Sequence, residues 1–198
     1  MKSRQRRGYT IVELMMSLAV LAIGVSGIIS MQKVTLASNQ HAKNLAIATH
    51  IGQAWLDALA GEAGQWVQGG NFTNTTWLSN VASADWFRPG WDNERELGAA
   101  FNALGTPISD DAADAHAQFC VDLKLQWLHS DTVPETGGGL IRAQVRVFWR
   151  REGVVDLAGS APLQPCSVSA VNVTNADGLK LFHFVYLTSA IRQYTLPE

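Results

Sequence analysis

The chain has 198 residues, 47% of them apolar and 16% charged, with a formal net charge of −2. This balance excludes a disordered chain and fits one domain, or one domain with an appendage. Lys2, Arg4, Arg6 and Arg7 supply four of the 15 basic side chains; without them 11 would face 17 acids, a net of −6 that argues against a surface built for nucleic acid.

Residues 10–31 come first in chain order, and they hold one ionisable side chain, Glu13. As a helix this run covers about 33 Å at ~1.5 Å per residue, enough to cross a hydrocarbon core of about 30 Å. A membrane span is expected, with the basic cluster ahead of it on the cytoplasmic side. The run is too long for the apolar core of a cleaved secretory signal. No cysteine follows it, as a lipoprotein would require. A plain signal anchor fits the length and flanks but leaves Glu13 unexplained, and an unpaired acid deep in lipid costs on the order of 2.5 to 3.5 kcal/mol, somewhat less near a helix end.

The stretch Arg7-Gly8-Tyr9-Thr10-Ile11-Val12-Glu13 resembles the processing site of type IV prepilins and of the pseudopilins of type II secretion. Most relatives carry Phe where Tyr9 stands. The resemblance implies cleavage by a prepilin peptidase after Gly8 and methylation of the new amine of Tyr9. It also implies a type IV pilin fold of the α+β class, a long N-terminal helix on an antiparallel sheet. The expected divisions are a basic leader over 1–8, a helix over 9–60 and an extracytoplasmic head over 61–198. Glu13 then seeks a cation. The Tyr9 amine of an adjoining subunit is expected to supply one and to set axial register during assembly.

The helix should continue through Ala60, because residues 32–60 contain no proline and one glycine, Gly52. Leu45, Ala48, Gly52, Trp55 and Leu59 form one apolar stripe; Ile47, Ile51, Ala54 and Ala58 form another beside it. Either the two stripes have different partners or they make one broad core face.

Residues 61–118 read as a long connection with a short helix over 94–104. Its four tryptophans, Trp66, Trp77, Trp86 and Trp91, are expected mainly to fill core. Period-two alternation marks strands over 119–128 and 141–151, joined by a Pro- and Gly-containing tip, and a third over 180–189 after the turn signal "TNADG". An antiparallel sheet of about four strands follows. Arg142, Arg146 and Arg150 alternate with the apolar residues and read as the solvent face of their strand. The only cysteines, Cys120 and Cys166, suit a disulfide in an extracytoplasmic head, with a free buried pair as the alternative.

No nucleophile motif, phosphate loop or zinc spacing occurs. No catalytic residue, cofactor or metal site is expected, and Asp110, Asp111 and Asp114 read as a solvated turn. The segments "AVLAIGVSGIISMQ", "NLAIATHIGQAWLDAL" and "RVFWRREG" are similar to the subgroup of type IV pilus modification proteins, PilV. The expected function is that of a minor pilin, inserted in the inner membrane with its head in the periplasm and then carried into a pilus fibre, at its tip or below. Its expected partners are other major and minor pilins, the prepilin peptidase, the inner-membrane assembly platform and membrane lipid. The alternatives are a minor pseudopilin of a type II secretion system and a membrane-anchored adhesin or binding module that never assembles.

Overall fold

The computed structural model describes residues 10–66, 72, 75–83, 85–109, 116–129, 139–151 and 164–193. One helix, α1 (Ile11–Glu62), is unbroken over 52 residues. Two compact units divide it, one ending at Asn44 and one beginning at Leu45.

In the second unit the last part of α1 packs on a sheet of five antiparallel strands. These are β1 (Ala100–Phe101), β2 (Pro107–Ile108), β3 (Phe119–His129), β4 (Leu140–Arg150) and β5 (Phe182–Arg192), in the order β2-β1-β3-β4-β5. A short helix, α2 (Ala176–Leu181), leads directly into β5. The architecture is the α+β arrangement expected from the sequence.

Spacing of three and four residues puts Ala48, Ile51, Gly52, Trp55 and Leu59 on one buried line of α1. Ile47, Leu56 and Ala58 lie half-buried at its margins, while Leu45 and Ala54 are exposed, so a single core face accounts for this part of the helix. Gly52 permits the close approach of β5: a Cβ there would lie 2.5 Å from Leu187 Cδ1. From the sheet, Val121, Leu123 and Leu125 of β3 and Ile141, Ala143, Val145 and Val147 of β4 close the core. Strand alternation therefore sorts these side chains as period two requires. Trp55 and Trp77 meet edge to face with centroids 4.8 Å apart, and Trp66 contacts Phe72 and Trp127. Trp66 and Trp77 are core residues; Trp86 and Trp91 are half-buried.

Among the described residues, the opposite face of the sheet is closed at one end. Ala99, Ala100, Cys120, Phe148, Cys166, Val173 and Phe182 form a second buried cluster there. At the other end Arg142 and Ala190 remain exposed.

The expected sheet of about four strands has five among the described residues, because Ala100–Phe101 and Pro107–Ile108 pair as two-residue strands, too short to show alternation. Two expectations are corrected. Residues 94–104 are not helical. Asp92 accepts from the N–H groups of Glu94 and Arg95 at 2.8 and 3.3 Å, Glu96 takes a left-handed φ of 48°, and Asp92 and Leu97 bridge antiparallel. A local side-chain acceptor thus outcompetes the helical ladder. Burial acts to raise the Asp92 carboxyl, but the hydrogen bonds from Arg95 and the two backbone donors outweigh it and hold the group below its ordinary value. Finally, β5 begins at Phe182, since 176–181 is helical: Asn175 caps α2 by accepting from the Gly178 N–H at 2.9 Å. Gly178 sits against the Val173 carbonyl, where any Cβ would overlap the oxygen. The tip between β3 and β4, over 130–138, and Asp110, Asp111 and Asp114 lie outside the described residues.

Candidate functional site

The first unit is chemically simple. Thr10 precedes α1 and its Oγ1 accepts from the Glu13 N–H at 3.3 Å, capping the helix. Beyond Glu13 no acidic or basic side chain occurs until Lys33. Ile11, Met16, Val20, Ile23 and Met31 are 68–76% exposed, so apolar side chains crowd the helix surface. The hydroxyls of Ser17, Ser26, Ser30 and Thr35 each donate to a carbonyl three or four residues back, at 2.8, 2.8, 3.1 and 3.0 Å. Such back-bonding lets hydroxyls enter hydrocarbon without an unsatisfied donor. The helix is long and apolar enough to cross a membrane, and none of its most apolar window is buried within the chain.

Glu13 stands in the first turn of this helix, exposed, and no described side chain pairs with its carboxylate. Two physical effects act on it. Its position near the helix N-terminus stabilises by about 0.3–1 kcal/mol. The cost of an unpaired carboxylate in lipid is several times larger. The helix end alone therefore does not account for an acid here.

The second unit contains a charge cluster that strand alternation concealed. Asp122 and Arg146 stand directly opposite each other on β3 and β4, and both are 0% exposed. Arg146 Nη2 lies 2.6 Å from Asp122 Oδ2 and also donates to the Ala170 carbonyl. Arg88 approaches Asp122 Oδ1 at 3.0 Å and donates to the Cys166 carbonyl. The Arg146 guanidinium stacks on Trp86, 4.3 Å from the ring centroid. Arg146 is therefore no part of a solvent-facing stripe: the loop carrying Cys166 and Ala170 covers it. Cys120, two residues before Asp122 on the same face, forms a disulfide with Cys166, with Cα atoms 5.3 Å apart. The bridge and the ion pairs hold the same loop to the same face. A disulfide on the polar side of β3 was the one sequence signal that this face is covered.

Glu62 is another buried acid. It ends α1, is 0% exposed, and accepts from the N–H groups of Thr76, Trp77 and Leu78 at 2.8–3.3 Å, with Arg95 at 3.8 Å. The three donors open the 3₁₀ helix over Leu78–Ser83, so the carboxylate caps that element from outside it. Its place was legible: Trp55, Leu59 and Glu62 share one helical line. Glu62→Ala leaves these donors buried without an acceptor and should cost about 2–3 kcal/mol, read as a lower urea midpoint with an unchanged slope.

Comparison with known families bears on the N-terminus. Residues 3–29 match the family model described as the prokaryotic N-terminal methylation motif. The chain carries a prepilin-type N-terminus. No curated protein and no solved structure is similar enough to count as a match. The prepilin-type match ends inside α1, so it covers Glu13 and none of the sheet. Gly8 and Tyr9, the expected processing residues, fall within the match but outside the described residues. Among the described residues, no group of three or more His, Cys, Asp or Glu side chains could hold a metal ion.

Proposed function

We propose that this prepilin-type chain is a minor pilin, a structural and assembly-priming subunit of a type IV pilus. The observation that carries the reading is a methylation-motif N-terminus running into an exposed apolar helix whose first turn holds one acid that no described side chain pairs. A prepilin peptidase cuts after Gly8 and methylates the amine of Tyr9. Residues 1–8 stay in the cytoplasm, and the head lies in the periplasm, where Cys120 and Cys166 can oxidise. On assembly the helix leaves lipid for a bundle of similar helices, and Glu13 pairs with the amine of an adjoining subunit. The minor-pilin assignment rests on the similarity of the helix and the "RVFWRREG" strand to type IV pilus modification proteins.

Mass analysis of the protein recovered from sheared fibres tests the reading. The expected N-terminus is methylated Tyr9. A native chain that still begins at Met1 and is missing from every polymer would sink the proposal, and recovery only from a periplasmic secretion polymer would replace it with the pseudopilin reading. Glu13→Gln keeps the length of the side chain and removes its charge. It should reduce incorporation about tenfold, equivalent to ~1.4 kcal/mol, because the adjoining amine loses its counter-charge. Full incorporation of this variant would remove Glu13 from assembly.

A further inference from the structure

The outer face of the sheet changes character along its length. Its closed end carries the disulfide and the ion pairs of Asp122. Beyond these, the residues that period two turns outward on β3, β4 and β5 include Lys124, Arg142 and Arg192 and no acid. Arg142 and Arg192 are exposed and Lys124 is half-buried. Among the described residues none of the three meets a carboxylate, whereas Arg88, Arg95 and Arg146 all do.

Strand register places these cations in a row. Lys124 stands opposite Gln144, two residues along β4 from Arg142, and Arg192 stands opposite Leu140, two residues from Arg142 in the other direction. Diagonal neighbours on one face lie about 7–8 Å apart, so the row crosses three strands over roughly 15 Å. The chain as a whole is acidic, with 17 carboxylate side chains against 15 basic ones, so this concentration of positive charge is local. Neutral hydrogen-bonding groups flank it: Gln126 faces Arg142 from β3, and Gln144 pairs with Thr188 beside it.

We infer that this row binds the carboxylates of an acidic polysaccharide, with Gln126, Gln144 and Thr188 hydrogen-bonding its hydroxyls. Charge complementarity calls for an extended polyanion, since a compact anion would meet one cation and leave the others unused. The groups between the cations select among polyanions. Amide and hydroxyl side chains both donate and accept, as sugar hydroxyls do. A single-stranded nucleic acid calls instead for successive aromatic rings, and Tyr186, the one exposed aromatic side chain among the described residues, lies off the row. An acidic protein calls for an aromatic or large apolar anchor, and between the cations this face offers only Leu140 and Ala190. The inference goes beyond the proposed pilin function and does not depend on it.

The test measures retention of the purified full chain, in detergent micelles, on immobilised polygalacturonate at low salt. Retention is expected, and it should fall as salt is added. Arg142→Gln should weaken binding about threefold, and the same change at Lys124, Arg142 and Arg192 together at least about tenfold. Lys43→Gln makes an equal charge change on the exposed surface of α1 and should leave binding unaltered. Disulfide formation reports folding in every variant. Failure of the native chain to bind overturns the inference, as does a loss with Lys43→Gln equal to that with Arg142→Gln, or no loss in the triple variant. Equal or tighter binding to single-stranded DNA or to polyglutamate at matched charge also overturns it, giving the row to a nucleic acid or to an acidic protein. Binding in micelles requires neither processing nor assembly, so these outcomes leave the pilin reading untouched.

Discussion

Asp122→Asn lowers the melting temperature of the full chain by on the order of 10 °C, equivalent to about 3–5 kcal/mol. The reason is charge, not shape. Among the described residues two guanidinium groups, Arg88 and Arg146, face this one carboxylate, and Asp122 and Arg146 are wholly buried. An amide fills the same space but leaves the cations without a counter-charge. Arg146→Met gives the contrasting result. It leaves Asp122 with Arg88 alone, a balanced pair, while an apolar stem continues to pack beneath Trp86. Its cost should be less than half that of Asp122→Asn. Equal losses for the two variants in thermal melts would mean that packing, and not uncompensated charge, dominates the cluster.

Replacing both Cys120 and Cys166 by Ser costs about 3–4 kcal/mol in the chain-entropy estimate for a separation of 46 residues. The effect is coupled to the first. Arg146 and Arg88 bind carbonyls of Ala170 and Cys166, so the loop that the bridge anchors also completes the charge cluster. Loosening it admits water to Asp122 and relieves part of the penalty of the Asn variant. The triple variant should therefore lose less than the sum of the two effects. Denaturant titrations of the four proteins in the cycle measure the coupling, and strict additivity would show that the bridge and the ion pairs act independently. Mass spectrometry without reductant provides the accompanying check on the native bond.

Local regularity made much of the fold legible. An apolar run with one acid, followed by helical spacing through Leu59, is enough to draw α1. Alternation over 119–127 and 141–149 is enough to place two long strands and to say which side chains of each meet the helix. These features survive in any context because burial repeats with the period of the backbone. The short strands β1 and β2 leave no such record, and the segment over 94–104 has helical composition but a stronger local acceptor in Asp92.

The functional stretch divides the same way. The residues 7–13 and the apolar span behind them are legible in order along the chain, because a contiguous motif and an unbroken apolar run need no contact with distant segments to be recognised. The cluster of Asp122, Arg146 and Arg88 is different. Alternation puts Asp122 and Arg146 on the side that usually meets water, and only the return of the loop at Cys166 buries them. Likewise, the open edge of β5 depends on strand order, which no residue of β5 encodes. Sequence by itself determined the long apolar helix, its lone acid and the inner face of the sheet; tertiary structure decided what covers the outer face and which strand is left at the edge, because both depend on contacts between segments distant in the chain.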